Sequence, residues 1–325
     1  MGAGRSGAPA ERVLAIDIGG SKLAAGFVDR AGALTERRQV PTDAGDGAER
    51  ALDRALSLGE ELLGDRSGGA AGSGASGGDA LALGLSTNGL TREDGVELAP
   101  AVPGWDRLQI PSRLRERFPG LATAILNDVK AATLAELRWG ALRDVREGLY
   151  VNLGTGVAAG IVTGGNLCYG ANGAAGEIGY LAPTPQAAHA RRLDEALLEE
   201  RLGGRGVARW ASAELGRPVT MAELFAAGGD DRARELRDRL VDEIGFWVAN
   251  VAVVVDPQRV ALGGGLMRAA SSLCGEVAAA IARVGPFAVE VVPARFGAES
   301  SLLGAGAIAF DVLDASRRLE RVRPV

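Results

Sequence analysis

Leu14-Ala15-Ile16-Asp17-Ile18-Gly19-Gly20-Ser21-Lys22 is the stretch on which the fold turns. Residues 13–16 form an aliphatic, strand-favouring run that reaches Asp17 and then two glycines, where a backbone can reverse. Residues 24–28 read as a second strand, closed by Asp29-Arg30-Ala31-Gly32. The Gly-Gly pair has two readings on this stretch alone. It can be a plain hairpin turn, or a phosphate cradle in which glycine lets N–H groups approach an anion and Lys22 adds charge. An acidic residue at the strand end, here Asp17, suits a Mg²⁺ ion held through water, since Mg²⁺ keeps much of its hydration.

Outward from this point, strands and helices alternate. Residues 48–63 carry Leu52, Leu56 and Leu63 among charges and predict an amphipathic helix. Residues 67–78 contain only Gly, Ser and Ala, a composition that cannot bury apolar area and predicts a mobile surface loop. Strands are expected at 80–85 and 121–126, the second ending at Asn127-Asp128 before a helix at 131–138. Strands at 149–153 and 158–162 flank Gly154-Thr155-Gly156, an echo of the first strand–turn–strand unit. A long helix at 232–255 stops at Asp256-Pro257. A strand at 259–262, the turn Gly263-Gly264-Gly265 and a helix at 266–284 follow. This alternation predicts an α/β protein. The second and third turns offer backbone donors for phosphate, and the third, between strand and helix, suits an anion or a flat ring. None has P-loop or dinucleotide-fingerprint spacing.

Composition narrows the classes. The chain has 325 residues with 36 basic and 41 acidic side chains, a net charge of −5, against the basic footprint of a nucleic-acid binder. The 48 glycines are roughly twice the usual ~7% share and cluster between apolar runs. Cys168, Cys274 and the single histidine, His189, cannot make a four-ligand zinc site or a disulfide scaffold. No secretory signal or membrane span is readable, so a cytoplasmic protein is expected.

The three turns, in this order and with Asn127-Asp128 between the first two, resemble the ROK family (repressors, open reading frames and kinases) over residues 13–309. Residues 14–22 resemble its first phosphate motif, with Ser21 for the commoner Thr. Pro103-Gly104-Trp105 resembles its Pro-Gly-Trp segment, and Asn127-Asp128 with Ala131-Ala132 its Glu-Asn-Asp-Ala-Asn-Ala-Ala stretch. Gly154-Thr155-Gly156 resembles the second phosphate motif, residues 173–179 (GAAGEIG) the start of the signature, and residues 256–265 the adenosine motif. The resemblance implies two actin-like (ribonuclease-H-like) α/β domains around a central cleft. The smaller would span 12–126 with a C-terminal helix at about 309–325, and the larger 127–308.

The same resemblance implies an ATP- and Mg²⁺-dependent hexose kinase, with glucose or an amino- or deoxy-glucose such as kanosamine or glucosamine phosphorylated at its 6-hydroxyl. Asp128 would be the base; its plain alternative is a helix cap before 131–138. Asn127, Glu177, Tyr180 and Glu199 would contact the sugar. Asp17, Gly19, Gly20, Ser21, Lys22, Gly154, Thr155, Gly156, Gly263, Gly264 and Gly265 would hold ATP, with Asp17 facing Mg²⁺ through water. Family members are often homodimers.

Several positions depart from the pattern. Tyr180 replaces the signature histidine, and residues 181–198 lack the zinc-binding cysteines, so no zinc is expected and His189 reads as a surface residue. A helix at 193–202, with Leu193, Leu197, Leu198 and Leu202, would stand in for the zinc-braced loop. Lys130 stands where Asn is common, Asn88 where Pro is usual, and Ala101 where many relatives have Asn. These changes near the expected sugar point to a non-standard hexose, with plain glucose, from ATP or polyphosphate, as the alternative. A sugar-sensing regulator of this family would carry a DNA-binding domain, and Asp17 comes after only sixteen residues. No nucleic-acid or membrane partner is expected.

Overall fold

Two five-stranded sheets organise the chain in a computed structural model that describes residues 11–64, 80–92, 95–97, 99, 102–190, 197–226, 230–270 and 272–322. The Gly/Ser/Ala stretch 67–78 lies outside these, as do Ala101 and Leu193. The chain divides into two compact units. One comprises the described residues up to Ala135 with those from Glu299 onward, the other Glu136–Ala298.

In the first unit, β1 (Arg12–Ile18) runs antiparallel to β2 (Lys22–Asp29), which pairs with β3 (Leu34–Pro41). α1 (Ala48–Gly64) follows, then β4 (Ala82–Thr87) beside β1 and parallel to it. A short hairpin, β5 (Leu90–Thr91) and β6 (Val96–Glu97), and α2 (Ile110–Arg117) lead to β7 (Ala122–Asn127), parallel to β4. The order is β3-β2-β1-β4-β7. All of β1 after Arg12 and all of β4 are buried, which is why they read as near-continuous apolar runs rather than alternating ones. α1 buries Leu52 and Leu56 in this core, as its apolar spacing predicts, while Leu62 is buried in place of Leu63, which packs against the core only partly covered. Edge strand β3 carries Glu36, Arg37 and Arg38, charges that discourage edge-to-edge pairing. α3 (Asp128–Trp139) starts directly at the end of β7.

The second unit repeats the plan. β8 (Gly148–Leu153), β9 (Val157–Thr163) and β10 (Asn166–Leu167) are antiparallel, and β11 (Arg259–Gly263) and β12 (Glu290–Pro293) continue in parallel, giving β10-β9-β8-β11-β12. Its helices are α4 (Pro185–Ala190), α5 (Glu199–Leu202), α6 (Gly204–Leu215), α7 (Met221–Ala226), α8 (Asp231–Val255) and α9 (Leu273–Val284). Asp230 caps α8 by accepting from the N–H groups of Arg232 and Ala233. Asp256 ends it in left-handed backbone at φ 51°. Glu136, fully buried on α3, ties this unit together: its carboxylate accepts from the N–H groups of Ala141, Arg295 and Phe296. The last helix, α10 (Ser300–Val322), packs on β1, β4 and β7 of the first unit, with Leu302, Ala305 and Ala309 buried.

Two expected helices change. The helix at 266–284 is a 3₁₀ turn, Gly265–Arg268, followed by α9 from Leu273. Leu266, Ala270, Leu273 and Val277 are all buried, so one apolar stripe runs across the break and conceals it from periodicity. The helix at 193–202 reduces, among described residues, to the single turn of α5. Leu198 and Leu202 are buried in the second unit's core.

Candidate active site

Asp17 lies at the C-terminal end of β1 and only 6% of its surface is exposed. The parallel register sets it beside Ser86 of β4. Burial pushes its carboxyl above the ordinary carboxylate range; the Ser86 and Ser301 hydroxyls and the charges of Lys22 and Arg37 act against that rise. Ser301 is supplied by α10 from the far end of the chain, a partner no local motif could reveal.

The turn after Asp17 is a tight hairpin. Gly19 N–H donates to the Lys22 carbonyl at 3.0 Å. Buried Thr42 pins the turn from outside, its hydroxyl donating to the Gly19 carbonyl at 2.7 Å and its N–H to that of Ser21 at 3.1 Å. The amide of Gly19 is thus engaged in closing the hairpin.

Asn127 ends β7 and caps α3. Its Oδ1 accepts from Val129 N–H at 3.0 Å and Lys130 N–H at 3.1 Å, and its Nδ2 donates to the Gly89 carbonyl at 2.9 Å. With the cap filled by Asn127, Asp128 occupies the first helical position, partly exposed, its Oδ1 accepting from Val129 N–H at 2.8 Å. The partial positive charge at a helix start favours an ionised carboxylate there. Trp105 of the Pro-Gly-Trp segment is fully buried and donates through Nε1 to Thr87 Oγ1 at 2.9 Å, anchoring the end of β4. Lys130, also in the first turn of α3, is only 2% exposed.

In the second unit the other two glycine turns meet. β8 and β11 are parallel, with Gly263 in register with Asn152, so Gly154-Thr155-Gly156 and Gly263-Gly264-Gly265 leave the sheet side by side. Gly264 has φ 90°, and a side chain there would overlap the Leu153 carbonyl; only glycine fits. Gly154 N–H donates to the Gly156 carbonyl at 3.0 Å, so here too the first glycine closes its own turn.

Residues 173–179 form a strap over β9, held by Ala159 N–H on the Gly176 carbonyl at 2.7 Å. Glu177 and Tyr180 bracket a 3₁₀ turn on it, both partly buried. Glu199 reaches the second turn directly. Its Oε2 accepts from Val157 N–H at 3.0 Å and fills the space where a side chain at position 156 would go. Leu198 N–H on the Gly179 carbonyl and Gly204 N–H on that of Gly154, both at 2.9 Å, clamp the same segment to the strap and the turn. His189 is exposed, its ring nitrogen 2.7 Å from the Pro185 carbonyl.

Thus the first unit gathers Asp17, the first turn, Asn127 and Asp128, and the second gathers the other two turns, Glu177, Tyr180 and Glu199. A carboxylate at a strand end suits a hydrated Mg²⁺, and glycine turns at strand ends suit nucleotide phosphates. No cluster of three or more His, Cys, Asp or Glu that could hold a metal ion occurs among the described residues. No helix among them is long and apolar enough to cross a membrane. Thr42, Ser86 and Ser301 were invisible to motif reading, because only the packing of the first unit brings them to the site.

A family model described as "ROK family" matches residues 13–312. N-acetylmannosamine kinase of Escherichia coli is 30% identical over 300 residues, spanning 91% of this chain and 97% of that protein. Among solved structures, a ROK hexokinase from Thermus thermophilus is similar with TM-score 0.78 and 31% identity, over 94% of this chain and 99% of its own. A ROK family glucokinase from Streptomyces griseus, solved with glucose and AMPPNP, gives TM-score 0.73 and 25% identity, over 92% and 99%.

Proposed function

The chain is a sugar kinase of the ROK family with the two-domain actin-like fold, and on that premise we propose that it moves the γ-phosphoryl group of ATP to the 6-hydroxyl of glucose or an amino- or deoxy-glucose. The observation that carries this reading is Asp128, which follows the Asn127 cap as the first residue of α3 at the end of β7, in the same sheet as the first turn. As the sugar oxygen attacks the γ-phosphorus, Asp128 takes the hydroxyl proton and the bond from phosphorus to the ADP oxygen breaks. Such transfer is mostly positioning and charge stabilisation, so one carboxylate and a phosphate cradle suffice.

In the first unit Gly20, Ser21 and Lys22 would offer phosphate contacts, with Gly19 shaping their turn, and in the second Thr155, Gly156 and Gly263–Gly265 would offer theirs, with Gly154 shaping its turn. Bound Mg²⁺, held through water by Asp17, would neutralise phosphate charge. For the sugar, the first unit would contribute Asn127, and the second unit Glu177, Tyr180 and the Glu199 Oε1. The glucose and AMPPNP complex of the Streptomyces griseus relative supports a nucleotide donor and a glucose-type acceptor. The buried Leu198 and Leu202 support a zinc-independent loop.

An ADP-release assay over glucose, mannose, glucosamine, kanosamine, N-acetylglucosamine and N-acetylmannosamine tests this. It is run with ATP, and with polyphosphate by following sugar phosphate instead, each with and without a chelator that spares Mg²⁺. ATP-dependent turnover on a glucose-type sugar, unaffected by the chelator, is expected. Preference for N-acetylmannosamine would overturn the substrate assignment, and silence with every hexose would overturn the kinase reading.

A further inference from the structure

The first unit holds one polar side chain that nothing so far employs. Both amide atoms of Asn88, Oδ1 and Nδ2, are shut off from solvent, and neither has a hydrogen-bond partner among the described residues. Its backbone is held on both sides. The Thr87 hydroxyl donates to the Asn88 carbonyl at 3.2 Å while accepting from Trp105, and the Gly89 carbonyl accepts from Asn127. Asn88 is not in left-handed backbone, so the turn's conformation does not call for asparagine. A buried carboxamide with neither end paired is costly and calls for an explanation, of which a bound molecule that pairs with it is one.

The register says where that partner would be. Ile18 pairs with Thr87, and Thr87 with Asn127, across three parallel strands. One step further along each strand come Gly19, Asn88 and Asp128. Asn88 therefore sits between the first glycine turn and the carboxylate assigned as base, at the strand ends where α/β sheets bind their ligands.

Resting on the hexose-kinase reading, we propose that Asn88 is a specificity-determining residue whose carboxamide pairs with one polar substituent of the sugar. A carboxamide donates and accepts at once, so it is matched by a hydroxyl or an acylamino group, which do the same. An ammonium satisfies Oδ1 alone and leaves Nδ2 orphaned. At the position Asn88 reads, the sugar thus bears a hydroxyl or an amide and not a free amine.

The test compares the wild-type enzyme with Asn88→Ala and Asn88→Asp, using the best hexose of the panel and its single-deoxy analogues. Thermal melts confirm folding, and calorimetry of sugar binding without nucleotide gives a readout independent of turnover. For the wild type, one deoxy analogue is expected to lose about 10²-fold or more in kcat/KM, because its absence strands the buried amide. In Asn88→Ala that gap collapses with KM for ATP unchanged. Asn88→Asp, isosteric but acceptor-only, shifts preference toward the amino sugar with its ammonium at the same position. A wild-type gap that persists in both folded variants, or an equal loss on every sugar, overturns the proposal while leaving the kinase reading intact. A wild type inactive on every hexose overturns both.

Discussion

The two units share one strand plan, three antiparallel strands followed by two parallel ones, yet they load its strand ends differently. The first ends its parallel strands in acids and amides: Asp17 on β1, Asn88 after β4, Asn127-Asp128 after β7. The second ends β8 and β11 in glycine turns, and the carboxylate that reaches them, Glu199, serves as a brace. The common detail is that each first glycine, Gly19 and Gly154, uses its own amide to close its turn. One scaffold thus carries acids and amides at the strand ends of one copy and glycine turns at those of the other, since function resides in what is grafted at the strand ends.

The sharpest way to break this contrast is at Asp128. Asp128→Asn removes the proton acceptor but keeps the shape, so kcat is expected to fall about 10²- to 10⁴-fold with the melting temperature little changed. Steady-state kinetics beside a thermal melt checks both, and retained turnover would strip the first unit of its chemical role. A smaller loss is expected at Glu199. Glu199→Ala leaves Val157 N–H without its acceptor, and KM for ATP and for sugar should each rise roughly tenfold, the size of one ~1.4 kcal/mol interaction. Glu199→Gln keeps an acceptor and should restore the ATP side alone, which titrating each substrate separately would show.

The smallest effect expected is one of stability, at Asp17. Its folded-state pKa is raised by burial, so the native state holds the proton more tightly than the unfolded chain does. The resulting destabilisation is absent below the unfolded pKa and grows as pH rises through the folded one. Asp17→Asn should therefore raise the melting temperature at neutral pH, leave it nearly unchanged in acid, and lower phosphoryl transfer. Calorimetric melts across pH would register this, and a variant less stable at neutral pH would contradict it.

Much of this was legible in residues 14–22 and their echoes, because strands buried on both faces read as apolar runs and glycines mark where a backbone must turn. The paired strands and most helices follow from such local signals. What failed locally did so for identifiable reasons. The apolar stripe from Leu266 to Val277 runs across a break in helix, so periodicity fused a 3₁₀ turn with α9. The capping question at Asn127-Asp128 could not be settled by propensity, since both residue types favour that position. Hydrogen bonds to Val129 and Lys130 gave it to Asn127.

Sequence alone determined which chemical groups the chain owns and in what order its turns occur, because those depend on residue type and near neighbours. Only the tertiary structure decided which groups become partners. Parallel register lines up Gly19, Asn88 and Asp128, α10 brings Ser301 to Asp17, and a clamped single helical turn sets Glu199 against Val157. Each of these pairings joins residues distant in the chain, and sheet packing, which no local pattern encodes, brings them within reach.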